Sequence, residues 1–413
     1  MKEITKDNII EYLKEHMPNV RWDCPVSIRM IGEGTQEEDG DGYVNYIYRV
    51  HTPSQAFVVK QGLPRSRVTE QAIGTYRNRL EYDSMRILYA IVPEYVPKPI
   101  FQDEENHVFV MEDVSELKIV RFALNKNKVF PKLGRQCGEY MAKTEFYTSE
   151  FYLSREEYRK LQCRFENTEL RRIMEDGMFL DCFGCEMESS LGDNFKKFAT
   201  QFGEDSRYRT ELYKLRRNFM SHADALIHAD LHTSNLLASR EEMKVIDMEF
   251  TFVGPFGYDL GYLTGNLISQ YCAACFKPFS TEEERKRFKA YLLATIKELF
   301  ETYNMTFTKC WQKDAKDRYE GQEGLLGSVL EEVMLTAPGY ASMVNWFRAA
   351  SEIEYPDFLA IEDVNARRFA TTLSLLIDWN IMFARYRYHS VDDLIDTILE
   401  TEKIYQKKIE ILK

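Results

Sequence analysis

The spacing of apolar residues predicts an α+β chain in two lobes, a small β-rich one (1–111) and a larger, mostly helical one (112–413). Three observations carry this. Short β-branched and aromatic runs crowd the first lobe and are crossed by one helical stretch. Long helical patterns dominate after Asp113. A single strand-like island, 235–250, interrupts them.

In chain order, Thr5 can cap an opening helix in which Ile9, Ile10, Leu13 and Met17 recur at helical spacing. Strand-like runs follow at 26–31, 44–50 and 56–60, the last two joined by turn residues 51–55. A helix is expected over about 70–90, then strands at 96–101 and 107–111. Beyond the lobe boundary, at 111–115, helical periodicity covers 130–148, 208–222, 281–303, 321–335 and 364–388. There is no internal repeat and no low-complexity linker.

Composition removes whole classes of function. The 26 Phe and 25 Tyr exclude a disordered chain, and the net charge of −12 argues against a nucleic-acid partner. No apolar run approaches the roughly 20 residues a bilayer span needs, so no membrane partner is expected. The opening MKEITKDNIIEYLKEHM carries charges throughout and no signal-peptide pattern, and a cytoplasmic location is expected. Eight cysteines fit ordinary intracellular usage. Two C-x-x-C pairs, Cys182/Cys185 and Cys272/Cys275, have zinc-ligand spacing. The second pair lies in ISQYCAACF, where the same spacing simply puts both thiols on one face of an apolar helix.

The chemistry concentrates in LIHADLHTSNLLASREEMKVIDMEFTFVGPFGYD, residues 226–259. Phosphoryl transfer to a hydroxyl needs a carboxylate to orient and accept the proton, and oxygen ligands for Mg²⁺. Asp230 is the candidate base and Asn235 the first metal ligand. A hairpin over 235–247 would return Asp247 beside Asn235, and Glu249, two residues on along an extended chain, would face the same side. This spacing matches a kinase catalytic loop and metal-binding Asp. Lys60 at a strand end and Glu81 on the following helix then read as the pair that holds the α- and β-phosphates of ATP. Glu112, Asp113 and Val114 would offer backbone groups to the adenine; alternatively the segment is a plain strand-to-helix connection with Ser115 as N-cap. The loop 32–45 sits where a phosphate-covering loop belongs, but Glu33, Glu37, Glu38, Asp39 and Asp41 would repel a triphosphate unless they face solvent or meet Mg²⁺.

With these residues in place, the chain resembles the S-methyl-5-thioribose kinases, a branch of the aminoglycoside-phosphotransferase-like, protein-kinase-like fold. The resemblance runs through GDGYVNYIYRV (40–50), VMEDVS (110–115), KTEFYTSEFYLS (143–154), ALIHADLHTS (225–234), KVIDMEFTFVGPFGYDLG (244–261) and WQKD (311–314). It implies nucleotide contacts at Asn45, Lys60, Glu112–Val114 and Asp247, Met248 and Glu249. It also implies Asp230 as the catalytic, substrate-binding residue, and a homodimer. The implied reaction moves the ATP γ-phosphate to the anomeric hydroxyl of a thio-sugar, a step of methionine salvage.

The chain departs from that family's pattern in several places. Ala229 stands for Gly, Asn235 for Ser and Met248 for Pro. The family's tandem arginines align with Asn345 and Trp346, so Trp346 and the neighbouring guanidinium of Arg348 become the candidate acceptor contacts; a Trp in so apolar a helical stretch is otherwise expected in the core. The loop 67–79 lacks the family's Trp, and the glycine-bearing loop is longer. The reading is a Mg²⁺–ATP kinase for 5-methylthioribose or a related pentose. The alternatives are a kinase for another small alcohol, such as an aminoglycoside-type acceptor, and a nucleotide-binding pseudokinase.

Overall fold

A computed structural model of the chain describes residues 1–40, 44–65, 72–180, 191–316, 318–350 and 356–412. The N-terminal part contains α1 (Ile9–His16), β1 (Ser27–Met30), a single-turn α2 (Gln36–Asp39), β2 (Tyr46–His51), β3 (Ala56–Gln61), α3 (Tyr76–Ile91), β4 (Pro99–Asp103) and β5 (Val108–Glu112). The five strands form one antiparallel sheet in the order β1-β2-β3-β5-β4.

Period-two alternation assigns each face of this sheet. Tyr48, Val50, Phe57, Val59, Val108 and Val110 pack beneath α1 with Ile9, Tyr12 and Leu13. Val58, Phe109 and Met111 point the other way, against Leu80, Met85 and Leu88 of α3. Each such side chain contributes roughly 1.5–3 kcal/mol on burial. Lys60 lies two residues after Val58 and so falls on this inner face. The opening helix starts later than the Thr5 cap implied. Thr5 N instead donates to Asn8 Oδ1 at 2.9 Å, a local turn that delays the first helical residue to Ile9.

The rest comprises β6 (Lys118–Ile119), α4 (Val120–Asn125), α5 (Leu133–Thr148), α6 (Arg155–Arg164), α7 (Thr168–Arg172), α8 (Asp193–Glu204) and α9 (Ser206–Ser221). Then come β7 (Ala225–Ile227), β8 (Leu236–Ala238), β9 (Met243–Val245), β10 (Phe252–Gly254) and α10 (Tyr258–Phe276). The chain closes with α11 (Glu282–Asp314), α12 (Glu323–Ala350), α13 (Pro356–Leu359), α14 (Val364–Ala384) and α15 (Val391–Leu412). The α+β class read from the sequence is the one observed.

Helix α10 is buried on every side, and α12 lies directly against it. That approach needs missing side chains: a Cβ at Gly265 would sit 2.7 Å from Ala341 O, and one at Gly261 2.6 Å from Tyr340 Cβ. Cys272 and Cys275 are buried thiols of α10, and burial raises both well above the ordinary thiol range. Cys182 and Cys185 lie outside the described residues.

Candidate active site

Strand β7 delivers the chain into a loop that the first turn of α10 holds from below. Asp259 accepts the backbone N–H of His228 at 2.6 Å and of Ala229 at 2.9 Å. These bonds hold Ala229 in the left-handed region (φ 66°), a conformation that favours Gly and that Ala adopts only when its surroundings over-determine it. His228 Nε2 meets Ile246 O at 2.9 Å while its Nδ1 accepts Asp230 N–H at 3.3 Å, so the tautomer with the proton on Nε2 satisfies both. Asn235 closes the loop: its N–H donates to His232 O and its Nδ2 to Asp230 O at 3.0 Å, which leaves Oδ1 as its ligand atom.

Asp230 emerges from this turn half-buried. Tyr262 OH donates to its Oδ1 at 2.8 Å, and His232 Nε2 lies 3.5 Å from its Oδ2. Burial pushes its carboxyl up to about 8, with the charges of Asp247 and Glu249 adding to the effect and Tyr262 and Arg348 opposing it.

The hairpin read from the sequence is present. Strands β8 and β9 pair Leu236 with Val245, and Ile246 N–H donates to Asn235 O at 3.0 Å, bringing Asp247 back beside Asn235. Glu249 gets there by another route than the extended chain expected. Asp247 is left-handed (φ 65°) and residues 248–250 form a 3₁₀ turn, which folds Glu249 back toward Asp247. Carboxylate oxygens of Glu81, Asp247 and Glu249 all lie within 4.8 Å of one another. A compact set of hard oxygen donors, with Asn235 beside it, fits Mg²⁺.

One cation sits among these acids. Lys60 Nζ is 2.7 Å from Glu81 and is also ion-paired directly with Asp247. Burial alone would lower Lys60, but the charges of Asp247 and Glu81 outweigh it and hold the ammonium protonated. Asp247 is correspondingly low despite its burial, because Lys60 faces it. Burial raises Glu81 to about 8, only partly offset by Lys60, and burial plus the Asp247 charge raises Glu249. Asn45 Nδ2 donates to Glu249 Oε2 at 2.9 Å. Arg77 was not singled out in the sequence. Its guanidinium is buried, donates to Asn45 Oδ1 at 2.7 Å and lies 3.5 Å from Glu249. The one signal for it was its position one helical turn before Glu81, on the same face of α3.

Three expected nucleotide contacts differ in detail. The Met248 side chain is in the core, so only its backbone can face a ligand. Asp113 turns its carboxylate back, accepting Ser115 N–H at 2.8 Å and meeting His51 Nε2 at 2.6 Å. No helix starts at Ser115; the next begins at Val120. Glu112 N–H is taken by Lys98 O. Val114 joins Leu117, Ile119, Phe122, Leu237 and Ile246 in a small apolar cluster. A pocket of about 380 Å³ lies between Arg29, Arg49 and His51 above and Leu117, Ile119 and Leu237 below.

Three acids of this loop, Glu33, Glu38 and Asp39, meet cations. Asp39 is buried, caps Gly32 N–H at 2.9 Å and Gly34 N–H at 2.8 Å, and pairs with Arg29 at 2.8 Å. Glu38 pairs with the same Arg29, and Glu33 with Lys6. Asp41 lies outside the described residues.

On the acceptor side, Trp346 is only 1% exposed and packs tilted against Tyr208, ring centroids 4.9 Å apart. Its ring fills the helical core, which corrects the expectation of a substrate contact. Asn345 Nδ2 donates to Asp378 Oδ1 at 2.7 Å, also in the core. Arg348 pairs with Asp357 at 3.2 Å, and its charge reaches Asp230.

Residues 35–295 match the model of the phosphotransferase enzyme family. The methylthioribose kinase of Geobacillus sp. (strain WCH70) is 33% identical over 383 residues, 91% of this chain and 93% of that protein. The methylthioribose kinase of Geobacillus thermodenitrificans (strain NG80-2) is 33% identical over 92% of this chain and 95% of its own length. This chain belongs to the methylthioribose kinase family.

It is therefore a phosphotransferase with an alcohol group as acceptor. Among solved structures, a choline kinase from Cryptosporidium parvum is 14% identical, with a TM-score of 0.47 over 91% of this chain and 98% of that one. Among the described residues no helix is long and apolar enough to cross a membrane. Within this methylthioribose kinase-like site, the sequence reading did not single out Asp259 and Tyr262, which contact the loop around Asp230, nor Arg77. Asp259 ends the most informative stretch of the sequence, yet nothing local reveals that it holds the turn before Asp230.

Proposed function

We propose that this chain transfers the γ-phosphate of Mg²⁺–ATP to a hydroxyl of 5-methylthioribose, the anomeric one by the family resemblance. The observation that carries this reading is the half-buried carboxylate of Asp230, held beside the Lys60–Glu81–Asp247–Glu249 cluster. Asp230 takes the proton of the acceptor hydroxyl as its oxygen bonds to the γ-phosphorus and the bond to the ADP oxygen breaks. Lys60 meets the α- and β-phosphates and Glu81 orients it. Asn235, Asp247 and Glu249 would hold Mg²⁺, which supplies positive charge to the phosphate oxygens. Val114 N–H is the donor offered to the adenine edge, over the apolar floor of Leu237 and Ile246.

Arg348 is the acceptor-side guanidinium in this reading. The replacement of the arginine pair by two core residues favours one second reading, a different small alcohol as acceptor, because an unmatched buried polar group costs about 1–3 kcal/mol. The resemblance supports a homodimer, which light scattering tests, and the opening residues support a cytoplasmic location.

Coupled ADP release with 5-methylthioribose, ribose, 5-deoxyribose and an aminoglycoside panel tests the assignment. Saturable turnover with methylthioribose alone is expected. Turnover only with another acceptor would replace the substrate while keeping the chemistry. Silence throughout would exclude methylthioribose as acceptor and leave an acceptor outside the panel or a nucleotide-binding pseudokinase, which nucleotide-induced thermal stabilisation would then examine.

A further inference from the structure

The catalytic loop is held by α10 at two levels. Asp259, in the helix's first turn, fixes the backbone of His228 and Ala229. One turn on, at i+3 and so on the same face, Tyr262 reaches the side chain of the very next loop residue. Its hydroxyl donates to Asp230 Oδ1 at 2.8 Å, while the ring is 5% exposed and packs 5.9 Å from Tyr258. A ring so enclosed has little rotational freedom, so its hydroxyl is a fixed donor rather than a passing one. Asp230 has two oxygens, and this bond distinguishes them.

We propose that Tyr262 is the positioning residue of the catalytic carboxylate: by occupying Oδ1 it locks the side-chain rotamer of Asp230 and presents Oδ2 to the acceptor hydroxyl. Without that bond the carboxylate rotates about its side-chain torsions, and the oxygen that must take the proton is correctly placed for only part of the time. The effect belongs to the transition state rather than to ground-state binding, because the acceptor's other contacts are unchanged. The site also has a geometric consequence. Oδ2, the oxygen that Tyr262 leaves to an acceptor, lies 3.5 Å from His232 Nε2.

This inference rests on Asp230 being the base, so Asp230→Asn is measured alongside. The test compares kcat and KM of the wild type and Tyr262→Phe on whichever acceptor the panel yields. Without an acceptor, it uses the slow ATP hydrolysis in which water takes the acceptor's place. The Phe variant keeps the ring and removes only the donor. The expected result is a fall in kcat of about tenfold or more, with KM for both substrates within twofold and an unchanged unfolding midpoint. A kcat within twofold of wild type, or a loss carried equally by KM, overturns the inference. If Asp230→Asn is dead while Tyr262→Phe matches wild type, only this inference fails; if Asp230→Asn remains active, the reading of the base fails with it. Should the Phe variant lose its cooperative unfolding, 4-fluorophenylalanine at 262 fills most of the hydroxyl's space and donates no hydrogen bond. A kcat equal to wild type's there overturns the proposal.

Discussion

Lys60 of β3 and Asp247, after β9, are joined by a direct ion pair across the cleft, although 187 residues separate them in sequence. The lysine assigned to the phosphates and the carboxylate assigned to the metal thus hold each other directly. Lys60 is 4% exposed at its side chain and Glu81 only 1%. Removing one partner of such a pair leaves uncompensated buried charge, at about 3–5 kcal/mol. Lys60→Met is expected to lower the unfolding midpoint by several degrees and kcat by at least about a hundredfold. Adding Glu81→Gln should recover part of the stability and none of the activity. Scanning calorimetry with ADP release checks both, and recovery of activity in the double variant would contradict the phosphate role of Lys60.

The same cluster gathers three carboxyl groups around one lysine. Glu81, Asp247 and Glu249 face Lys60, with Arg77 behind Glu249. Metal-free ATP would bring further negative charge into this field. Chelation of divalent cations is therefore expected to abolish turnover and to remove most of the thermal stabilisation by ATP. An ATP-induced shift that survives EDTA at full size would argue against Asp247 and Glu249 as ligands.

Asp230→Asn keeps the shape of the loop, since Tyr262 can still donate to the amide oxygen. Turnover should fall below detection while Mg²⁺–ATP still raises the unfolding midpoint. Measurable turnover in this variant would remove Asp230 as the base.

Burial raises the carboxyl of Asp224 to about 6 from its usual 3.8, although Phe256 N–H donates to it at 3.0 Å. The folded state therefore prefers the protonated acid, and stability is lost as pH rises from about 4 to about 6. Asp224→Asn preserves the bond from Phe256 without the charge. It is expected to stabilise the protein by on the order of 1–3 kcal/mol above pH 6, with the gain vanishing below about pH 4. Urea unfolding at pH 4 and pH 7.5 checks this, and an equal gain at both would show that the charge is not the cause.

Two glycines of the helical core should respond with opposite signs. A Cβ at Gly261 meets the backbone carbonyl of Ala337 and Tyr340 Cβ, neither of which can swing away. Gly261→Ala should cost about 1–3 kcal/mol or more as α10 and α12 are forced apart. At Gly327 of α12 nothing lies within 4 Å, and Gly327→Ala should gain about 0.5–1 kcal/mol from helix propensity alone. Unfolding midpoints of the two variants decide it.

By itself the sequence determined the features that depend on near neighbours. Short β-branched and aromatic runs placed β2, β3 and β5 and left Lys60 at a strand end. The turn between β8 and β9 made Asp247 return to Asn235, because a hairpin's register follows from the few residues that join its strands. Asp230, Asn235, Asp247, Lys60 and Glu81 were therefore readable as a set. Tertiary structure alone decided what meets these residues from a distance: Asn45 on Glu249 across 204 residues, Tyr262 on Asp230 across 32, and Arg29 on Glu38 and Asp39 of the acidic loop. It also sent Trp346 into the core, where its apolar area is removed from water, rather than to the acceptor. The physical reason is the same in each case. Backbone periodicity fixes which face a side chain occupies, but the packing of other elements decides what that face meets.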